Sequence, residues 1–271
     1  MVYETHMHTP LCKHAIGTIS EYADVAAARG LKGITVTCHC PLPDGMSSEV
    51  RMSPEQWGEY LDMVAQAREE AAGTIDILLG LESDYLPGLE PWLEKLHSSA
   101  SLHYILGSVH PQIHEYKERY LRDNWPLFHR QYFSSLVEAA QTGLFDCLSH
   151  PDLVKNVGSE HWNLESHFDH ILHCLDAIAE TGIAMELNTS GRYKTIPEMN
   201  PSFSILKAMR ERGIPVVVGA DAHCPERVCE GYQEAYMLLE SAGYSSVRFF
   251  KNRQAADILI RDARHALQFD Q

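Results

Sequence analysis

The 271-residue chain is predicted to be an α/β protein built on parallel strands, and three features of its sequence carry that prediction. Seven short apolar runs, several rich in β-branched residues, recur along it, each with the composition of a strand buried on both faces. Helical patterns or long connections separate them, as parallel crossovers require. Six of the seven runs end in a side chain able to bind a metal ion, and the seventh ends in Asn188. In parallel α/β architectures the ligand site lies at the carboxyl ends of the strands. Scattered structural histidines have no reason to collect there, whereas a site built at that end requires it.

The first run, Val2 to Thr5, leads into His6-Met7-His8, whose imidazoles leave one face because side chains alternate along a strand. Ser20 is a candidate cap for a helix over Glu21 to Arg29, which Gly30 stops. The strand Gly33 to Thr37 ends at His39, Pro41 to Gly45 is turn chemistry, and Pro54 opens a helix that reaches Ala72. Ile75 to Leu81 ends at Glu82, and Leu102 to Val109 at His110. A helix over Pro126 to Thr142 precedes the strand Leu144 to Ser149, which ends at His150-Pro151-Asp152. A helix over Leu164 to Thr181 precedes Ile183 to Leu187, ending at Asn188. Another over Ser202 to Arg212 precedes Ile214 to Val218, then Gly219-Ala220-Asp221-Ala222-His223. Two last helices, Val228 to Ser241 and Arg253 to Leu267, are expected to cover the outside. No linker divides the chain, so one domain over residues 1–271 is expected.

Hydrophobic residues make up 45% of the sequence and charged residues 22%, the balance of a globular rather than a disordered chain. A net charge of -15 repels nucleic acid and anionic membrane, and no basic stripe with interleaved aromatics offsets it. No nucleic-acid or membrane partner is expected. Glu4, His6 and His8 interrupt any leader-like apolar run, which points to a cytoplasmic protein. The seven cysteines show no disulfide spacing and are read as small buried groups or neighbours of a metal site. A lone His-x-His is more often two surface histidines; here the rest of the sixteen histidines give it weight. His103, His114, His161, His167, His170 and His173 are assigned to surface or helix faces, with His114, four residues after His110, the first exception to consider.

His6-x-His8, His14 in the run His-Thr-Pro-x-Cys-x-His, His39, Glu82, His110, His150 and Asp221-x-His223 match position by position the metal ligands of the polymerase-and-histidinol-phosphatase (PHP) superfamily of metal-dependent phosphoesterases, which the chain resembles from His6 to His223. The resemblance implies a distorted seven-stranded, TIM-like (β/α)7 barrel holding two to three divalent ions. It also implies their distribution: His6, His8, Glu82 and Asp221 on one ion, Glu82 bridging to a second with His110 and His150, and His14, His39 and His223 on the third. Glu82, Asp221 and His223 are the residues expected to carry catalysis. Imidazoles with two carboxylates suit zinc, manganese or iron rather than calcium or magnesium. Such a cluster attracts a phosphate dianion and acidifies water for in-line attack, and the sequence offers no nucleophile elbow or phosphate-cradling glycine loop as a substitute.

The segments Leu81 to Gly88, His39 to Pro43, Gly107 to His110, His150 to Lys155 and Glu186 to Arg192 are similar to the monofunctional histidinol-phosphate phosphatases of this superfamily. That similarity implies a small phosphorylated substrate, L-histidinol phosphate, bound through Lys155 and Arg192, with another small phosphate ester or an oligonucleotide as the alternative for a PHP-type phosphoesterase. Lysine acts on phosphate as a point charge and arginine as a bidentate fork. Two departures touch the metal preference: Glu4 stands where the family has aspartate, and Cys38 where the residue before His39 is acidic.

Overall fold

A computed structural model describes residues 2–268, so Met1 and residues 269–271 of the expected domain lie outside it. Seven parallel strands follow one another in sequence order: β1 (Tyr3–Glu4), β2 (Gly33–Val36), β3 (Asp76–Asp84), β4 (Tyr104–Ser108), β5 (Cys147–Leu148), β6 (Ala184–Asn188) and β7 (Val216–Gly219). The chain beyond β7 meets the chain beyond β1. Ala222 N–H donates to the His6 carbonyl (3.0 Å) and His8 N–H to the Ala222 carbonyl (2.9 Å), a parallel bridge that nearly closes the sheet into a distorted (β/α)7 barrel. The expected fold class holds.

Between the strands run α1 (Ile19–Ala28), α2 (Trp57–Glu70), α3 (Glu90–Ser98), α4 (His114–Tyr120), α5 (Trp125–Gln141), α6 (Leu164–Thr181) and α7 (Phe203–Glu211), and α8 (Tyr232–Ala242) follows β7. The start of α1 corrects the expected cap. Thr18 is the N-cap, its hydroxyl accepting from Glu21 N–H (3.2 Å) while Glu21 Oε2 accepts from Thr18 N–H (2.6 Å), a reciprocal capping box. Ser20 lies inside the helix and donates to Glu70 Oε2 (2.8 Å).

The second correction concerns the C-terminus. Where one helix was expected from Arg253 to Leu267, the chain makes a hairpin of β8 (Ser246–Lys251) and β9 (Gln254–Leu259), then the short α9 (Ile260–Ala266). Asn252 and Arg253 both have positive φ, at 54° and 60°, which is the two-residue turn whose twist matches a hairpin. The hairpin packs on the entry ends of the barrel strands: Phe249 stacks on Tyr3, Phe250 on Tyr104, and Lys251 pairs with Asp76 (3.0 Å).

Alternation along the strands sorts the barrel interior into two layers. Near the entry ends, Tyr104, Leu106, Cys147, Ala184 and Val217 close around Phe250 as a small apolar core. Two residues further along the same faces come Ser108, Ser149, Glu186 and Gly219, all buried and mostly polar. The larger apolar core lies between sheet and helices. A wholly buried polar layer is costly unless its groups are paired, so the carboxyl end of this barrel is where chemistry is to be sought.

Candidate metal centre

Glu82 on β3 is the hub of that polar layer, and it is 1% exposed. Around its Oε1 stand His150 Nε2 (3.2 Å), His110 Nε2 (3.4 Å) and His6 Nε2 (3.5 Å), and around its Oε2 stand His39 Nδ1 (2.7 Å) and His8 Nε2 (3.6 Å). Asp221 Oδ1 lies 3.2 Å from His8 Nε2, 3.6 Å from His6 Nε2 and 3.5 Å from His223 Nδ1. The His14 ring stacks 4.6 Å from that of His223 and stands 5.5 Å from that of His39. All nine expected ligands thus meet at one end of the barrel. Two of them, His150 and Asp221, have positive φ (26° and 49°), a conformation that non-glycine residues adopt at a cost and that gathers at functional sites.

The donors fit cations better than they fit one another. His6 Nε2, His8 Nε2, His39 Nδ1, His223 Nε2 and Glu82 Oε2 are buried with no hydrogen-bond partner, although several lie within 3.6 Å of an opposing donor. Two ligands each about 2.1 Å from one zinc-like ion stand about 3.0 Å apart at a right angle and about 3.4 Å apart at the tetrahedral angle. The spacings of His6, His8, His110 and His150 from Glu82 and of His6 and His8 from Asp221, 3.2–3.6 Å, lie in or within about 0.2 Å of that range. A buried unpaired polar atom costs about 1–3 kcal/mol, so a shell of them closing on one space is a shell built for ions.

Neighbouring groups fix which nitrogen each ring offers. His6 Nδ1–H donates to Glu186 Oε1 (2.7 Å), His14 Nδ1–H to the Cys12 carbonyl (2.7 Å) and His223 Nδ1–H to the Asp221 carbonyl (3.0 Å), leaving each Nε2 for a metal. His110 Nδ1 is held by Asp84, itself paired with the buried Arg51. Ser108 donates to Glu82 Oε1 (2.7 Å) and stands 2.6 Å from Ser149, which pins the hub carboxylate. Gly219 makes room for this arrangement: a Cβ there would lie 2.7 Å from His6 Cβ and against the Glu186 carboxylate.

The charges tell the same story. Burial alone would protonate Glu82, yet His39, His110 and His6 hold its pKa well below the usual range. Burial likewise opposes ionisation of Asp221, and His6 and His8 outweigh it. Burial disfavours a charged His110, but Asp84 and Glu82 raise its pKa to about 10; for His8, Asp221 leads the groups that raise it to about 9. His39, where burial wins, falls to about 3. Ionised carboxylates crowded into a buried space draw positive charge from whatever is there, protons or divalent ions.

Comparison with known proteins places this geometry. The PHP domain profile matches residues 4–190. A Deinococcus radiodurans protein named probable histidinol-phosphatase is 38% identical over 91% of this chain and 95% of its own length. The chain belongs to the PHP family. The histidinol-phosphatase of Bacillus subtilis is 26% identical over 80% of this chain and 92% of its own. Among solved structures, histidinol phosphate phosphatase from Lactococcus lactis, complexed with zinc, L-histidinol and phosphate, aligns at TM-score 0.79 and 20% identity over 94% of this chain and 98% of that one, which shows the shared barrel.

Beside this PHP centre opens a cleft of about 410 Å³, with His14, His39 and His110 on one wall and Glu49, Arg51 and Lys117 among the others. The two expected phosphate ligands are placed differently. Arg192 lies four residues beyond Asn188, and its Nε and Nη2 are buried without hydrogen-bond partners where the guanidinium packs against Gly231. Lys155 is wholly buried, its ammonium occupied by Asp152 Oδ2 (3.0 Å), Glu198 Oε1 (3.0 Å) and the Met199 carbonyl (3.2 Å), so no donor is left over for a ligand.

Several residues of the PHP site escaped the sequence reading. Glu186 orients His6 through one oxygen and receives His150 N–H (2.9 Å) through the other; Asp84 does the like for His110. The available signal was their spacing, since Glu186 precedes Asn188 and Asp84 follows Glu82 by two along a strand, hence on one face. Glu4, which the sequence reading did single out as bearing on the metal preference, instead collects five donors, from Thr5, His6, Ala220 and Cys229 N–H and the Tyr232 hydroxyl, and anchors the seam between β1 and β7. His114 lies on the surface, 81% exposed beside Glu118. His167 corrects the surface assignment in part: it is on a helix but buried, packed on Trp162 and His129.

Proposed function

We propose that the protein hydrolyses a small phosphate monoester, L-histidinol phosphate, to the alcohol and inorganic phosphate. The observation that carries the hydrolysis is the shell of unpartnered donors around Glu82 and Asp221; the 38% identity to a protein named for that substrate supports the choice of ester. Two to three bound zinc, manganese or iron ions would supply Lewis acidity, drawing the phosphate dianion and acidifying water near neutral pH. His6, His8, Glu82 and Asp221 would hold one, Glu82 with His110 and His150 a second, and His14, His39 and His223 the third.

The remaining work falls to the chain. The water oxygen bonds to phosphorus as the ester P–O bond breaks, and the alcohol leaves with a proton. Glu82, Asp221 and His223 serve this by fixing where the charges sit, and Glu186 and Asp84 by holding His6 and His110 in the needed tautomer. Arg192, with two unpartnered nitrogens, is the residue offered to the phosphate. Lys155 contributes by tying Asp152 to Glu198. Glu49, which lines the cleft together with Arg51 and Lys117, is the carboxylate offered to the cationic end of the ester.

Metal-loaded protein assayed against histidinol phosphate and a panel of neutral and anionic phosphomonoesters tests this. Histidinol phosphate should lead the panel in kcat/KM by tenfold or more. An unrelated ester turned over equally well would remove the substrate assignment and leave the phosphatase; phosphate release from none would remove both.

A further inference from the structure

Cys12 ends the short 3-10 turn Pro10–Cys12 and is fully buried, which for a free thiol usually means packing as a small hydrophobe. It does belong to the large apolar core, but it also meets metal-competent side chains. The Cys12 Sγ and the nearest ring nitrogens of His14 and His223 all lie within 4.8 Å of one another, and Cys12 forms a second such triad with His8 and Cys38. Cys38, by contrast, is engaged by Thr9: its sulfur accepts from the Thr9 hydroxyl (3.2 Å) and N–H (3.5 Å), and its own S–H reaches the Thr9 carbonyl (3.6 Å). His14 and His223 each spend Nδ1–H on a backbone carbonyl, which leaves Nε2 as the coordinating nitrogen of each, and His223 Nε2 is buried with no partner.

We propose that Cys12 Sγ is a thiolate ligand of the ion held by His14 and His223, making this a sulfur–nitrogen site beside neighbours with nitrogen and oxygen donors only. The proposal rests on the metal-centre reading. The thiol gives up its proton to solvent as the sulfur–metal bond forms, and no electron is transferred. A metal–sulfur distance of about 2.3 Å and metal–nitrogen distances of about 2.1 Å put sulfur and nitrogen about 3.6 Å apart in a tetrahedral site, within the observed grouping. Thiolate is the softest donor in the cluster, so this position should favour zinc, while the Glu82-bridged positions also accept manganese. Cys38 lies next to the ligating sulfur without binding the ion.

Cobalt(II) is the probe, because a thiolate bound to it produces a sulfur-to-metal charge-transfer band in the near ultraviolet that imidazole and carboxylate do not. The full chain, stripped with chelator and reloaded with cobalt(II) to a stoichiometry fixed by elemental analysis, should show the band. Cys12→Ser should lose the band and bind one ion fewer or more weakly, and Cys38→Ser should keep it. A cobalt-loaded wild type without the band, or a band that survives in Cys12→Ser, overturns the proposal while leaving the metal centre standing. Failure to bind cobalt at all overturns both. Should Cys12→Ser not fold, X-ray absorption of the zinc-loaded wild type and Cys38→Ser decides: one sulfur neighbour in both supports the assignment, and none, or loss in Cys38→Ser, overturns it.

Discussion

Glu82 is surrounded by five imidazoles and has no access to water, so its charge can be balanced only by protons on those rings or by ions between them. Glu82→Gln keeps the shape and removes the charge. It should cost two ions at once and lower kcat/KM by about 100-fold or more, since removing even an outer partner of a ligand costs about 10–100-fold. His14→Ala, on the exposed rim, should lose chiefly the third ion. Metal stoichiometry and rate measured together on both variants decide the point: a Glu82→Gln protein with its full complement and near-normal rate is incompatible with a bridging carboxylate. At this scale the sequence showed the candidate ligands that the fold brings together, because histidine and carboxylate at successive strand ends are unusual in themselves. It did not show who orients them. The pairing of His6 with Glu186 spans 180 residues, and it depends on the chain closing so that only β7 separates β1 from β6.

Strands and helices were legible where period and length agree. α6 occupies the residues expected, 164–181, because an asparagine cap, a strong apolar face and Gly182 at φ 73° all mark it. The C-terminal hairpin was hidden because its turn is Asn252–Arg253, with no glycine to advertise left-handed residues, and because the segment after it is mostly exposed. Its role is to floor the barrel: Phe250, 8% exposed, completes the apolar layer with Tyr104, Leu106 and Val217. Phe250→Ala should therefore cost about 3 kcal/mol in urea unfolding yet leave metal content unchanged, because that layer lies at the opposite end of the strands from the ligands. Metal loss in a variant that still folds would mean that floor and site are coupled, contrary to the two-layer interior.

The whole barrel is least well tied at its seam. β1 and β7 share no continuous ladder; the chain joins there through the bridge at Met7 and Ala222 and through the donors gathered by Glu4. The proposed ligands His6 and His8 lie on one side of that seam and Asp221 and His223 on the other, so ions bound between them would staple it. Without ions, protons must do part of that work. His8 and His110, raised to about 9 and 10 in the metal-free fold against 6.5 when unfolded, give stability that is full below pH 6.5 and is lost as pH rises through 9 to 10. Metal binding runs the other way, since ions need deprotonated imidazoles and hold better as pH rises. The difference in melting temperature between manganese-loaded and chelator-treated protein should therefore widen from pH 6.5 to pH 9. One pKa unit realised is about 1.4 kcal/mol, which for a chain of this size is about 3 °C or more. A difference that stays constant or narrows over that range would mean that the imidazoles do not take up protons when the ions leave. The carboxylates at the hub would then have to be neutralised in some other way.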